Sequence, residues 1–370
     1  MSPHLSTVEA LLVGNRREKD AHIYTIPSPN AYPYQWLWDS CFHSIMLTHI
    51  DLELAKEELR SLVARQHEGG FIGHVTYWNK DSDVYPDTWG LKGTSGLVQP
   101  PLLAYAVSRI IALEDDMDFL GEMYEPLKAF YDYLLRERDQ RAVSLIGLVN
   151  PDESGEDNSP RFDLALGLPP KHHVSENAKK RWALSAYHRD CGYDISCTSE
   201  RFWVEDVPFN AFYVWNMLIM AELAFILERD DDAQVFEDTA ERVGSAMREH
   251  MFHRGRYRSL YGESGEPVFS LTLAHFMPML AGLYSRKEVQ TLIEEDLLNE
   301  DRFWLPYGIP TTSADDPAFD PKEPDWGEPW QHPHWRGPIW MSMHWFLHLA
   351  LKQYGFDEQA QAIKDKSIVL

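Results

Sequence analysis

The chain has 370 residues, 58 acidic against 34 basic side chains (net charge −24), and three cysteines. The negative excess argues against nucleic-acid and anionic-membrane partners, whose binding energy comes from Lys and Arg neutralising phosphates. Three cysteines are too few for a disulfide framework, and no basic region precedes an apolar run of signal-peptide length, so the expectation is a soluble, cytoplasmic, globular protein.

Hydrophobic periodicity predicts helices at 5–15, 40–49, 51–66, 99–114, 117–138, 207–228, 231–251, 269–284, 286–298, 338–354 and 357–367. Asp51, Asp115 or Asp116, Asp206, and Asp357 after Gly355 stand where N-caps are expected. The longest apolar stretch, 211–227, is interrupted by Asn216 and Glu222 and reads as too short to span a bilayer. From residue 40 onward the helices alternate in character. Those at 99–114, 207–228, 269–284 and 338–354 are apolar nearly all round, and a helix of that kind must be surrounded by protein. Each is followed closely by an amphipathic partner, whereas the links leading into the apolar helices are long and rich in aromatics. This pattern predicts an all-α (α/α)6 toroid, with buried helices inside, amphipathic helices outside, and loops gathered at one mouth. Twelve helices are expected and eleven are counted; the last inner position reads as empty. No composition break divides the chain, so residues 1–370 read as one C-terminally incomplete domain. Apolar faces left by a missing helix would favour a homo-oligomer.

Aromatic residues cluster beside Gly, Pro and Asp in Tyr32-Pro-Tyr-Gln-Trp-Leu-Trp-Asp39, His74-Val-Thr-Tyr-Trp78, Trp326-Gly-Glu-Pro-Trp330 and His334-Trp-Arg-Gly-Pro-Ile-Trp340. Rings next to polar groups suit a sugar, whose C–H faces stack while its hydroxyls are hydrogen-bonded. The stretch Asn150-Pro-Asp-Glu-Ser-Gly-Glu-Asp-Asn-Ser-Pro-Arg161 reads as a loop. It crowds Asp152, Glu153, Glu156 and Asp157, and like charges held close disfavour ionisation, as a general acid for glycosidic cleavage requires. The plain alternative is a solvated acidic turn. Asp39 reads first as an N-cap, a role compatible with gripping sugar hydroxyls, and Gln99 stands where a loop enters an inner helix. No metal or cofactor is implied: there is no His-Glu-x-x-His, no phosphate-binding Gly-rich loop and no Cys-x-x-Cys. The pairs His172-His173 and His332/His334 could bind a metal as a minor alternative, and Asp315, Asp316 and Asp320 lack the central glycine of a calcium loop.

Together these stretches resemble glycoside hydrolase family 63, in its bacterial glucosylglycerate/mannosylglycerate hydrolase branch. The resemblance runs from about residue 29 to the end. It is carried by Gln35-Trp-Leu-Trp-Asp-Ser40, Gly73-His-Val-Thr-Tyr-Trp78, Gln99-Pro-Pro101, Glu153-Ser-Gly-Glu-Asp-Asn-Ser-Pro-Arg161, Asp206-Val-Pro-Phe-Asn-Ala211, Asp315-Asp-Pro-Ala-Phe-Asp-Pro321 and Trp335-Arg-Gly-Pro-Ile-Trp340. The Glu-Ser-Gly-x-Asp element also resembles trehalases of the same clan. The resemblance implies an inverting α-glycosidase with Asp157 as general acid. It implies a sugar-binding wall from Asp39 with Trp36 or Trp38, aromatic platforms from Trp335 and Trp340, and a glycerate end held by Tyr34, Tyr77 and Gln99. Inversion needs a second carboxylate about 6.5–9.5 Å from the acid. The family's base lies beyond the last outer helix, a region this sequence lacks, and Glu328 is a weak substitute. The expectation is therefore hydrolysis of a small α-glycoside, impaired if the base is absent. The alternatives are a sugar-binding pseudoenzyme, or a sugar isomerase or epimerase using His275, His344 or His348.

Overall fold

The computed structural model describes residues 3–78, 89–91, 93–321 and 334–369. The backbone is predominantly helical, and short strands of two to four residues supply the β-structure of the described residues. The chain divides into two compact units, each assembled from three segments. The first takes Met1–Arg138, Ser185–Asp194 and Asn216–Ala240; the second takes Asp139–Leu184, Ile195–Trp215 and Glu241–Leu370.

In the first unit, Leu37–Leu47 packs on Leu52–Val63, and both contact Leu103–Ile111, which also meets Met117–Arg138. Leu37, Ala55, Leu59, Leu62, Leu103, Val107 and Phe130 are wholly buried between them. Asp51 caps its helix by accepting the Leu54 N–H at 3.2 Å, and Asp116 accepts that of Phe119 at 3.0 Å, both as expected. The third helix begins at Leu103 rather than 99, because Pro100 and Pro101 donate no N–H and push their predecessors out of helical geometry. Its first free N–H groups find side chains instead: the Ala104 amide donates to the Tyr131 hydroxyl at 3.0 Å, and the Tyr105 amide to Asn216 Oδ1 at 2.9 Å. The same Asn216 oxygen accepts the Tyr131 O–H at 3.0 Å.

In the second unit, Met341–Gln353 packs along Asp357–Val369 and against the 3₁₀ segment Leu273–Met279. A four-stranded antiparallel sheet orders Glu266–Pro267, Leu260–Tyr261, Val204–Glu205 and Gly147–Leu148. Gly147 is required there, since a Cβ would stand 2.0 Å from the Trp203 ring.

Four expectations are corrected. The helix Val174–Asp190 does not figure in the predicted set, because Lys, Arg, His and Glu surround it on every side and leave no apolar stripe to detect. The eleven-helix count does not include it. Of the segment predicted as an α-helix at 269–284, only Leu273–Met279 is helical, as a 3₁₀ helix with Pro278 inside. At twenty residues, Val207–Ile226 is long and apolar enough to cross a bilayer, although 72% of its apolar stretch is packed inside protein. Finally, Cys41 is a buried free thiol, but Cys191 and Cys197 are disulfide-bonded.

Replacing Asn216 by Ala strands the Tyr105 amide and removes a partner of the Tyr131 hydroxyl. The expected cost is about 1–3 kcal/mol, read as a lower denaturant midpoint at unchanged slope.

Candidate active site

The residues expected to bind the sugar and the glycerate end, Tyr34, Trp36, Trp38, Asp39, Tyr77 and Gln99, lie in the first unit. Gln35–Trp36 pairs antiparallel with Val75–Thr76, so that Trp36 lies opposite Val75 and Tyr77 follows directly. Gly73 leads in because a Cβ there would come within 2.6 Å of the Ser95 carbonyl oxygen. Beneath the strand pair, the wholly buried Gln35 donates to Ser61 Oγ at 2.7 Å and Ser40 Oγ at 3.1 Å, and accepts the Trp78 indole N–H at 2.7 Å. Trp36 stands edge-on to Tyr32, His74 and Trp89, and Tyr34 edge-on to Tyr77 at 5.1 Å. Burial lowers His74 to about 3, so it packs as a neutral ring. Among the described residues, the Trp36 indole N–H and the Tyr77 hydroxyl are buried without a hydrogen-bond partner. Such groups cost about 1–3 kcal/mol each unless a ligand or water pairs them.

Asp39 is not an N-cap. That position belongs to Trp36, and Asp39 stands in the first turn of Leu37–Leu47. The cap is supplied by Gln99, whose Oε1 accepts the Trp38 amide at 3.0 Å, so its carboxamide oxygen serves the helix and fixes Trp38 and Asp39. Asp39 keeps partial solvent access, yet burial raises its carboxyl to about 6, opposed by His43.

The acid loop lies in the second unit. Asn150 caps the 3₁₀ turn Pro151–Ser154 by accepting the Asp152 amide at 3.0 Å, and Gly155 closes the turn at φ +70°. The crowded carboxyls are individually satisfied. Glu153 accepts the Val149 amide at 2.8 Å, Glu156 pairs with Arg161 at 2.8 Å, and Asp152 and Asp157 share Arg181, the latter at 2.9 Å. Arg161 also grips Asp206 at 2.6 Å. Asp206 is thereby held by Arg161 and Ser259 and is not the side-chain cap expected of it. In this loop it is Glu156 whose carboxyl is raised, by burial, with Arg161 opposing. Asp157 keeps 27% of its side chain exposed, and the acidic turn is otherwise buried rather than solvated.

Arg336 joins this loop to the aromatic platform of the same unit. It donates to both Asp163 oxygens (3.0 and 2.7 Å), to the Asn158 carbonyl at 3.2 Å and to the Pro170 carbonyl. On either side of it, Thr312 Oγ1 donates to the Trp335 carbonyl and Thr311 Oγ1 to that of Pro338. Trp335 stacks on Trp340 at 4.3 Å, 10° from parallel. Trp335 is 2% exposed, so of the two expected platforms only Trp340 keeps an accessible surface.

Arg161, Arg181 and Arg336, which order these groups, are not among the residues singled out from the sequence; Arg161 and Arg336 stand inside the quoted motifs, and that position is the available signal. Glu328, Trp326, Trp330 and His332 lie outside the described residues, which contain no cluster of three His, Cys, Asp or Glu able to hold a metal ion. The histidines considered for isomerase chemistry are engaged in packing. His275 bonds the Thr272 carbonyl and lies 3.2 Å from Asp296, His344 bridges Ile309 and Ser367, and His348 meets the Ala360 carbonyl.

Residues 32–370 match the mannosylglycerate hydrolase MGH1-like glycoside hydrolase domain. The chain belongs to that family. It is 30% identical to the mannosylglycerate hydrolase of Thermus thermophilus, over 98% of this chain and 92% of that one. It is 27% identical to the glucosylglycerate hydrolase of Mycolicibacterium hassiacum, over 95% and 87%. A family 63 mannosylglycerate hydrolase of Thermus thermophilus, solved with Tris and D-glycerate, superposes with a TM-score of 0.86 at 29% identity, covering 98% of this chain and 91% of that one. The family-63 resemblance and the all-α (α/α)6 class read from the helix alternation both stand, and the protein is a glycoside hydrolase.

Because the Asp39 carboxyl titrates higher in the folded chain (about 6) than in the unfolded one (3.8), folding takes up a proton between these values. Stability therefore falls as pH rises through that window. Asp39→Asn should raise unfolding free energy at pH 7.5 by about 3 kcal/mol and leave it unchanged below about pH 4, as measured by denaturant melts at both pH values. Gln99→Leu should cost about 1 kcal/mol through the lost cap.

Proposed function

We propose that this hydrolase cleaves an α-glycoside of glycerate with inversion, mannosylglycerate and glucosylglycerate being the two candidate substrates. The observation that carries the proposal is the family match across residues 32–370, which contains every motif quoted above. Asp157 is the general acid: it is the partly accessible carboxyl of an otherwise buried, arginine-held loop, and its role is to protonate the departing glycerate oxygen. Asp39, with Trp36 and Trp38, takes the sugar; Tyr34 and Tyr77 take the glycerate end, and Gln99 supports both by capping the helix that bears Trp38 and Asp39. Trp340, backed by Trp335, is the stacking face. Trp36 Nε1 and Tyr77 Oη, donors of this wall left unpaired among the described residues, suit the acceptor-rich surface of a glyceryl glycoside. The protein acts in the cytoplasm on a small molecule, with no nucleic-acid or membrane partner.

The packing role of His275, His344 and His348 favours hydrolysis over isomerisation. Incubation with each glycoside should release free sugar and glycerate in equal amounts, with the β-anomer appearing first by NMR. Asp157→Asn should lower kcat by about 10²–10⁴-fold while still binding sugar in a calorimeter. Binding by the unmodified chain without release would establish a pseudoenzyme.

A further inference from the structure

A proton donor held by a guanidinium is a chemical conflict, because a positive charge about 3 Å away favours the carboxylate and opposes the acid form. Arg181 places that conflict in the acid loop. Its Nη2 lies 2.9 Å from Asp157 Oδ2, while Nη1 engages Asp152. The remainder of Arg181 is anchored: Nε donates to Asn177 Oδ1 at 2.7 Å, and its carbonyl accepts from Asn150 Nδ2 at 3.0 Å. Asn150 in turn caps the 3₁₀ turn bearing Asp152. Asp152 is 5% exposed and belongs to this rigid frame, whereas Asp157 is 27% exposed at its edge. Glu156 of the same loop also acts on Asp157, and it shares Arg161 with Asp206. One guanidinium thus serves two carboxylates, a framed one and an edge one.

We propose that Arg181 and Asp152 control the proton on Asp157: the guanidinium passes wholly to Asp152 when Asp157 is protonated, and returns to Asp157 once the proton has been given. In the reaction, the C1–O bond breaks, and its electron pair and the Asp157 proton go to the glycerate oxygen. Water oxygen bonds to C1, the proton it loses passes to bulk solvent, and Asp157, partly exposed, takes a proton back from solvent. Arg181 and Asp152 are positioning residues, since neither touches the substrate in this scheme. The proposal rests on Asp157 being the acid.

The test uses the full chain and two substrates, the glycerate glycoside and the matching α-glycosyl fluoride, whose leaving group needs no proton. Asp157→Asn should lose glycoside hydrolysis and keep fluoride hydrolysis; unchanged glycoside hydrolysis would remove the acid assignment itself. Asp152→Asn leaves the guanidinium to Asp157 alone. The high-pH limb of kcat/KM on the glycoside should then move down by about one pH unit, a tenfold loss above it, with fluoride hydrolysis unaffected. Arg181→Gln should move the same limb upward. A purely structural role would depress both substrates together and leave the limbs in place. Unmoved limbs in both variants, with Asp157→Asn behaving as an acid knockout, overturn the proposal. A readout independent of turnover is the ¹³Cγ titration of Asp152 and Asp157 by NMR. Two coupled steps are expected in the unmodified chain and a single, lower step for Asp157 in Asp152→Asn. Should Arg181→Gln fail to fold, Asp152→Asn decides alone; an Asp157 titration identical with and without Asp152 refutes the proposal.

Discussion

Carboxylates can be packed into a protein interior only where cations accompany them, and the second unit is organised around that requirement. The turn at 150–161 brings four acidic side chains out of water, at a cost of several kcal/mol for each unpaired charge. Arg161 and Arg181 offset it from opposite sides. Arg161 ties Glu156 to Asp206, hence to the start of Val207–Ile226, and Arg181 does the same from Val174–Asp190. A third arginine, Arg336, binds the loop's Asn158 carbonyl and Asp163 together and carries Trp335 beside it. The loop at 150–161 and the tryptophan pair of this unit are therefore tied into one assembly through its arginines.

The first unit meets a different requirement by similar means. Helix Leu37–Leu47 starts inside a packed region, where an unsatisfied amide would be costly. Gln99 satisfies the Trp38 amide from the entry of the next inner helix, so the residue that completes one helix also fixes the side chains at the mouth of the other. Asp39 is held in the first turn at the expense of its own charge, burial raising it to about 6. Asp39 thus destabilises the folded chain at neutral pH, and in the same unit the Trp36 indole N–H and the Tyr77 hydroxyl are buried with no partner among the described residues.

Much of this is legible in the chain itself. Periodicity locates most of the helices, since an apolar stripe or an all-apolar surface records directly which faces are buried. The fold class follows from the alternation of those two kinds of helix. The acid loop, Asp39, Gln99 and the aromatic clusters are legible because Gly, Pro and short polar runs mark loops, and rings beside carboxylates are chemically specific. What escapes are the cases where local signal and tertiary role diverge. Helix Val174–Asp190 has no stripe, Pro278 turns a predicted α-helix into a 3₁₀ segment, and the disulfide of Cys191 and Cys197 does not follow from the cysteine count.

The sequence by itself determined which groups this protein has available for sugar chemistry and on which loops they lie, because composition and spacing are local properties. Only the tertiary structure decided their partners. That Gln99 rather than Asp39 caps the helix, that Asp206 belongs to Arg161, that Trp335 lies beneath Trp340, and that Asp152 and Asp157 share Arg181 all depend on groups brought together by the fold. Ionisation and hydrogen bonding are set by what stands within a few ångströms, and no one-dimensional pattern contains that distance.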